Sequence, residues 1–168
     1  MLVVVVGFFG VRSVEWCGGV VRVLDQNALP WEFRYVECSS VEDVARAIRD
    51  MTVRGAPAIG VAAAMGIALA AVKSSASSLE GLLRDVERAA DLLSRARPTA
   101  RNLFWAVERM LSVVRSAGSV EEARELAVRE ALRMADEDVE VNRRIGDFGA
   151  ELIEDGDTVL THCNRLGF

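Results

Sequence analysis

Apolar and polar positions alternate near the start of the chain and then change period. Val14 and Trp16 alternate with Ser13 and Glu15, Cys17-Gly18-Gly19 turns the chain, and Val20-Val21-Arg22-Val23-Leu24 returns it, which predicts a β-hairpin over residues 11–24. Asp25-Gln26-Asn27 and Pro30 mark a loop, and residues 33–38 read as a third strand. From Ser39 the period becomes helical. Ser39 with Glu42 reads as a capping box, and Val41, Val44, Ala45, Ile48 and Met51 share one face. A turn at residues 52–55 leads into a charge-free Ala/Gly-rich run, 56–72. After the polar break at 74–78, residues 79–95 are amphipathic, with Leu82, Leu83, Val86, Ala89, Ala90 and Leu93 on the apolar side. Arg97-Pro98-Thr99 interrupts, and residues 103–115 are helical again. Ser119 and Glu122 form a second capping box that opens a long polar-surfaced helix towards Ala150. Asp155-Gly156 is a turn, and residues 157–164 read as a strand running into a loop.

The order is strands, then a run of helices, then one strand with no neighbour in sequence. A lone strand cannot satisfy its backbone groups. It therefore either joins the early hairpin or begins another sheet. Residues 11–118 are expected to form one β-plus-helix unit, and residues 119–168 a linking helix and the first strand of a further unit. Residues 1–10 are apolar but lack a basic leading region and a small-residue cleavage site, and they are too short to span a membrane. They read as an extra strand or an upstream extension. The run 56–72 is read as a buried helix and not as a membrane span.

Composition narrows the function classes. The chain has 168 residues, of which 51% are hydrophobic, enough for a real core. A net charge of -5 gives no reason to expect nucleic-acid binding. Three cysteines far apart and a single histidine make neither a disulfide framework nor a zinc site, and a reduced cytoplasmic compartment is expected.

Two arginine-proline segments stand out. In Arg54-Gly55-Ala56-Pro57, Pro57 suits the first turn of a helix, and Gly55 permits positive φ or close approach of a ligand. A helix N-terminus with free N–H groups beside Arg54 suits a phosphate; the plainer reading is a tight turn with a solvated arginine. Arg97-Pro98-Thr99 is built alike. The two arginines could clamp one phosphate, or Thr99 could simply cap the next helix. Cys163 lies at the C-terminal end of a predicted strand, where open α/β sheets keep their sites, although a buried cysteine acting as a small hydrophobe is the commoner case. His162 beside it is poorly placed for a dyad, because successive strand residues face opposite ways. Trp16, Trp31, Trp105 and the methionines read as core or interface, and Glu121-Glu122 and Asp136-Glu137-Asp138 as solvated helix faces.

These segments resemble the methylthioribose-1-phosphate isomerases. The resemblance rests on Val53-Arg54-Gly55-Ala56-Pro57-Ala58-Ile59-Gly60, Val14-Glu15-Trp16, Leu24-Asp25-Gln26 with Leu29-Pro30, Arg97-Pro98-Thr99-Ala100 with Asn102-Leu103-Phe104-Trp105-Ala106, and Leu160-Thr161-His162-Cys163-Asn164. It runs from about residue 11 to residue 164. The Arg-Gly-Ala-Pro-Ala stretch is shared with ribose-1,5-bisphosphate isomerases, in a superfamily that includes the regulatory subunits of translation initiation factor 2B. The Glu-Trp start, the Asp-Gln-x-x-Leu-Pro loop and Asn-Leu-Phe-Trp-Ala are more typical of the methylthioribose enzymes.

The resemblance implies an α+β N-terminal domain, a small antiparallel β-sheet plus a helical bundle, followed by the start of a Rossmann-like α/β domain that is truncated here. It implies an aldose-to-ketose conversion of 5-methylthioribose 1-phosphate in methionine salvage, without metal, nucleotide or other cofactor, by a cytoplasmic homodimer with no nucleic-acid or membrane partner. Arg54, Gly55, Ala56 and Arg97 match the contacts to the substrate's phosphate and sugar, and Cys163 matches a cysteine that stabilises the transition state. The family's general acid is an aspartate well downstream of these motifs. After Asn164 this chain reads Arg165-Leu166-Gly167-Phe168, where the family continues with small residues and a helix, and residues 1–10 also lie outside the pattern. The expectation is therefore an isomerase sequence that is inactive as it stands. The competing expectations are a ribose-1,5-bisphosphate isomerase and a non-catalytic regulatory module.

Overall fold

A computed structural model describes residues 11–160. Three strands, β1 (Val14–Trp16), β2 (Val21–Leu24) and β3 (Tyr35–Cys38), form an antiparallel sheet in the order β1-β2-β3. The hairpin closes where Gly18 and Gly19 take φ of 58° and 92°, which glycine adopts without a Cβ clash. Val14 pairs with Val23, and Val21 with Cys38, so one sheet face gathers Val14, Val21, Val23 and Cys38, all buried. Arg22 stacks on the Tyr35 ring at 4.4 Å.

Five helices follow: α1 (Val41–Arg49), α2 (Ala56–Lys73), α3 (Leu79–Ala96), α4 (Arg101–Arg115) and α5 (Val120–Ala150). The centre of the molecule is α2, which packs against the other four helices and against β1 and β2. That explains its composition. A helix enclosed on every side has no polar face, and its Ala and Gly residues let the neighbours approach closely. At Gly66 an added Cβ would lie 3.1 Å from Leu93 and 3.2 Å from Val44. The charge-free run that matches a membrane span in length is thus the core helix, as expected from sequence. Ile48, Met65, Ile67, Leu69, Leu82, Leu93, Leu103 and Met110 complete the core. Burying each such side chain stabilises the fold by about 1.5–3 kcal/mol.

The long α5 has two parts. From Val120 to Ala135 it buries Val120, Ala123, Ala127, Ala131, Met134 and Ala135 against the bundle. Beyond Asp138 its apolar residues Val141, Ile145 and Phe148 are exposed, Phe148 by 65%.

Several expectations shift. The first helix is capped by Ser40, not Ser39: the Ser40 hydroxyl accepts from the Asp43 N–H, and the Asp43 carboxylate accepts from the Ser40 N–H. Burial alone would raise the Asp43 carboxyl, but these bonds and Arg46 hold it below its ordinary value. Met51 falls outside α1, exposed and at φ 56°. The Ser119 cap accepts from Glu122 N–H as predicted, but the Glu122 carboxylate reaches Gly118 N–H instead of closing the box. Trp31 is 91% and Trp105 54% exposed, so neither is core; Trp16 packs on the core edge. Residues 157–160 form no strand and are exposed, and they do not join the hairpin, since nothing among the described residues pairs with them. The reading of residues 1–10 and of 161–164 lies outside the described residues.

Candidate functional site

Gly55 is the N-cap of α2, at φ 93° and ψ 130°, a conformation that strains any residue with a Cβ. Pro57 stands in the first turn and contributes no N–H. No side chain caps this end, which leaves the Ala56 and Ala58 amides without a capping acceptor at the positive end of the helix dipole. Arg54 sits one residue before the cap. Its Nε donates to the Met51 carbonyl at 3.1 Å, and its Nη2 donates to Asn27 Oδ1.

The loop after β2 holds this corner. Gln26 N–H donates to the Thr52 carbonyl at 3.0 Å, Gln26 Nε2 to the Arg54 carbonyl at 3.4 Å, and Asn27 Nδ2 to the Asp50 carbonyl at 3.1 Å. The loop is shaped by Asp25, a buried carboxylate that accepts from Asn27 N–H and from Nε and Nη2 of Arg34.

Arg97 lies at the end of α3, half-buried, in a turn closed by Ala100 N–H on its carbonyl at 3.1 Å. Pro98 stands in that turn and not in the first turn of α4, and α4 is preceded by Ala100 with no side-chain cap, so Thr99 is not its cap. Among the described residues the Arg97 side chain makes no hydrogen bond or ion pair. The turn feeds into the end of α4 that touches α2: a Cβ at Gly60 would lie 3.1 Å from the Asn102 carbonyl. Arg54, Gly55, Ala56 and the Arg97 turn are thus carried by neighbouring ends of α2 and α4. Cys163 and His162 lie outside the described residues.

A cleft of about 310 Å³ opens beside these helix ends, lined by Pro57, Gly60, Asn102, Trp105, Arg109 and Glu137 among others. Its far wall is an ion network absent from the sequence reading. Arg109 donates to Glu130 at 2.5 Å and to Glu137 at 2.6 Å, and stacks on Trp105 at 5.4 Å. The Glu137 hydrogen bond in particular raises the Arg109 guanidinium, and the same bond lowers the Glu137 carboxyl. Glu137 is therefore a partner in a network and not a merely solvated face. The sequence signal was slight: Glu130 and Glu137 are seven apart and share a helix face, but nothing local points to Arg109. Among the described residues no group of histidine, cysteine and carboxylate side chains is arranged to hold a metal ion.

The chain is 49% identical to a putative methylthioribose-1-phosphate isomerase of Archaeoglobus fulgidus over 91% of its own length and 45% of the relative's. It is 50% identical to a methylthioribose-1-phosphate isomerase of Thermotoga neapolitana, again over 91% of this chain and 44% of the relative. Among solved structures it resembles the 5-methylthioribose 1-phosphate isomerase of Pyrococcus horikoshii OT3, with a TM-score of 0.83 and 47% identity over 86% of this chain and 41% of that one. It resembles equally a protein titled translation initiation factor eIF-2B, subunit delta, from A. fulgidus, with a TM-score of 0.84 and 49% identity over 92% of this chain and 45% of that one. The chain thus spans less than half the length of these relatives. Residues 52–165 match the model of the initiation factor 2 subunit family, and the chain belongs to that family.

Proposed function

We propose that this chain is the N-terminal part of a methylthioribose-1-phosphate isomerase, which converts an aldose 1-phosphate to the ketose without a metal or cofactor. The observation that carries this is the uncapped N-terminus of α2, with Arg54 fixed beside it and Gly55 at positive φ. It offers uncapped amides and a guanidinium to an anion. In this reading Arg54, Gly55, Ala56 and Arg97 hold the phosphate and sugar. Opening a ring whose anomeric oxygen carries phosphate calls for a general acid. That acid is the family's aspartate, beyond the motifs present here, and Cys163 stabilises the transition state. Residues after α5 belong to a Rossmann-like domain that closes the site, in a cytoplasmic homodimer.

The two solved neighbours bear different names at nearly equal similarity, so the fold alone does not choose between isomerase and initiation-factor subunit. The Asp25-Gln26 loop and the Asn102–Ala106 segment favour the isomerase, and several curated relatives carry that name. The test is to follow ketose formation by the complete protein from methylthioribose 1-phosphate and from ribose 1,5-bisphosphate. The expected result is a kcat/KM at least about a hundredfold higher for the methylthio sugar, a gap of about 2.7 kcal/mol in transition-state binding. A preference for the bisphosphate, or no turnover of either, would overturn the assignment.

A further inference from the structure

Asp25 and Gln26 belong to the resemblance, whereas Asn27 stands at one of the unspecified positions of the Asp-Gln-x-x-Leu-Pro loop. In the structure this loop is fastened to the turn that carries Arg54. Gln26 grips that turn by its backbone at Thr52 and by its side chain at the Arg54 carbonyl; Asn27 ties its amide to Asp50 and turns Oδ1 to the Arg54 guanidinium. Met51, at φ 56°, presents its carbonyl to Arg54 Nε. Two of the guanidinium's nitrogens are thereby engaged, and Nη1 has no hydrogen-bond acceptor among the described residues. An exposed arginine on a flexible stem ordinarily samples many rotamers, and holding it still before a ligand arrives removes an entropic cost of binding.

We infer that Asn27 is a positioning residue for Arg54: it accepts from Nη2, fixes the plane of the guanidinium and aims the free Nη1 edge at the phosphate beside the α2 N-terminus. Asn27 does not itself touch the substrate. A neutral acceptor suits this task, because it orients the cation without cancelling its charge. A carboxylate there would hold the guanidinium equally well but would neutralise it and oppose the phosphate. The inference rests on the reading of Arg54 as a phosphate contact.

The test is a double-mutant cycle in the complete protein, with kcat and KM measured for methylthioribose 1-phosphate and the inhibition constant measured for inorganic phosphate. Asn27→Ala is expected to raise KM about tenfold and weaken phosphate inhibition similarly, with kcat within about threefold of wild type; a hydrogen bond to a charged group is of that order. In an Arg54→Ala background, Asn27→Ala is expected to change neither constant further, since a residue that acts through another has nothing left to act on. Asn27→Asp keeps the acceptor for the Arg54 guanidinium and gives up the exposed Nδ2 bond to the Asp50 carbonyl. It is expected to retain the wild-type melting temperature within a few degrees while still weakening phosphate inhibition. Equal losses from Asn27→Ala with and without Arg54 would show a structural role and overturn the inference, as would wild-type phosphate inhibition in Asn27→Asp. If Arg54→Ala alone leaves KM and phosphate inhibition unchanged, the phosphate reading of Arg54 falls. If Arg54→Ala is severe and Asn27→Ala is silent, that reading stands and the positioning role of Asn27 falls.

Discussion

Glu137 is held ionised by the Arg109 guanidinium, which bridges α4 and α5. A carboxyl whose value in the folded chain lies below its ordinary one stabilises the fold above the ordinary carboxylate range. That contribution is lost as pH falls through the lowered folded value. Glu137→Gln is therefore expected to melt below wild type at pH 7, and the gap should narrow as pH falls below the ordinary carboxylate range and through the lowered folded value. The gap at pH 7 should not exceed about 1 kcal/mol, because the Glu137 side chain is 40% exposed and water screens the pair. Thermal denaturation of both proteins across that range is the measurement, and a gap that does not narrow would contradict the pairing. The thiols make a second case at this scale. Burial pushes the Cys38 thiol up to about 11, whereas Cys17 is exposed. At pH 8 a thiol reagent is expected to modify Cys17 within minutes and Cys38 only on unfolding. Mass mapping of the modified peptides distinguishes the two. If Cys163 acts in the transition state of the proposed enzyme, Cys163→Ser in the complete protein is expected to lower kcat while leaving KM nearly unchanged.

At the level of elements, most of the fold was legible because its signals are local. Gly18-Gly19 between alternating strands gives the hairpin, Ser119 with Glu122 opens α5, and the Leu82–Leu93 spacing gives the face of α3. The strand predicted from residue 157 did not appear in residues 157–160, because a strand depends on a partner that its own sequence does not contain. The geometry of the candidate site was half legible. Gly55 and Pro57 announce the helix end, but the bond from Arg54 to Asn27 joins residues 27 apart, and those from Arg109 to Glu130 and Glu137 join residues 21 and 28 apart. Pairings of that kind leave no periodic trace. The corner where α2 meets α4 is the most sensitive joint. A Cβ at Gly60 meets the Asn102 backbone, which can yield only by moving α4, whereas at Gly66 it meets the side-chain ends of Leu93 and Val44. Gly60→Ala is therefore expected to cost about 1–3 kcal/mol despite its better helix propensity, and to shift the emission of Trp105 on α4. Gly66→Ala should cost less, and urea denaturation of the two variants ranks them.

For the whole molecule, the decisive feature is that one end of α5 is finished and the other is not. Its first half is sealed into the bundle, while Val141, at the edge of the cleft, and Ile145 and Phe148 beyond it are more than half exposed. Spacings of four and three residues place them in a single stripe. In the proposed enzyme, residues beyond α5 supply the second wall of the site and the aspartate acid. The 168-residue chain should then keep the phosphate corner at α2 but be unable to exclude water or hold the sugar against Cys163. Purified as it stands, it is expected to show no ketose formation from methylthioribose 1-phosphate above background. It should also associate as its concentration rises, because the stripe on α5 offers apolar surface to another copy. Changing Ile145 and Phe148 together to glutamate should reduce that association in sedimentation velocity without lowering the melting temperature by more than a few degrees, since neither side chain enters the core. Turnover by the 168-residue chain within tenfold of the complete protein would mean that the corner at α2, with Cys163, suffices for the chemistry, and that the downstream acid has been wrongly assigned.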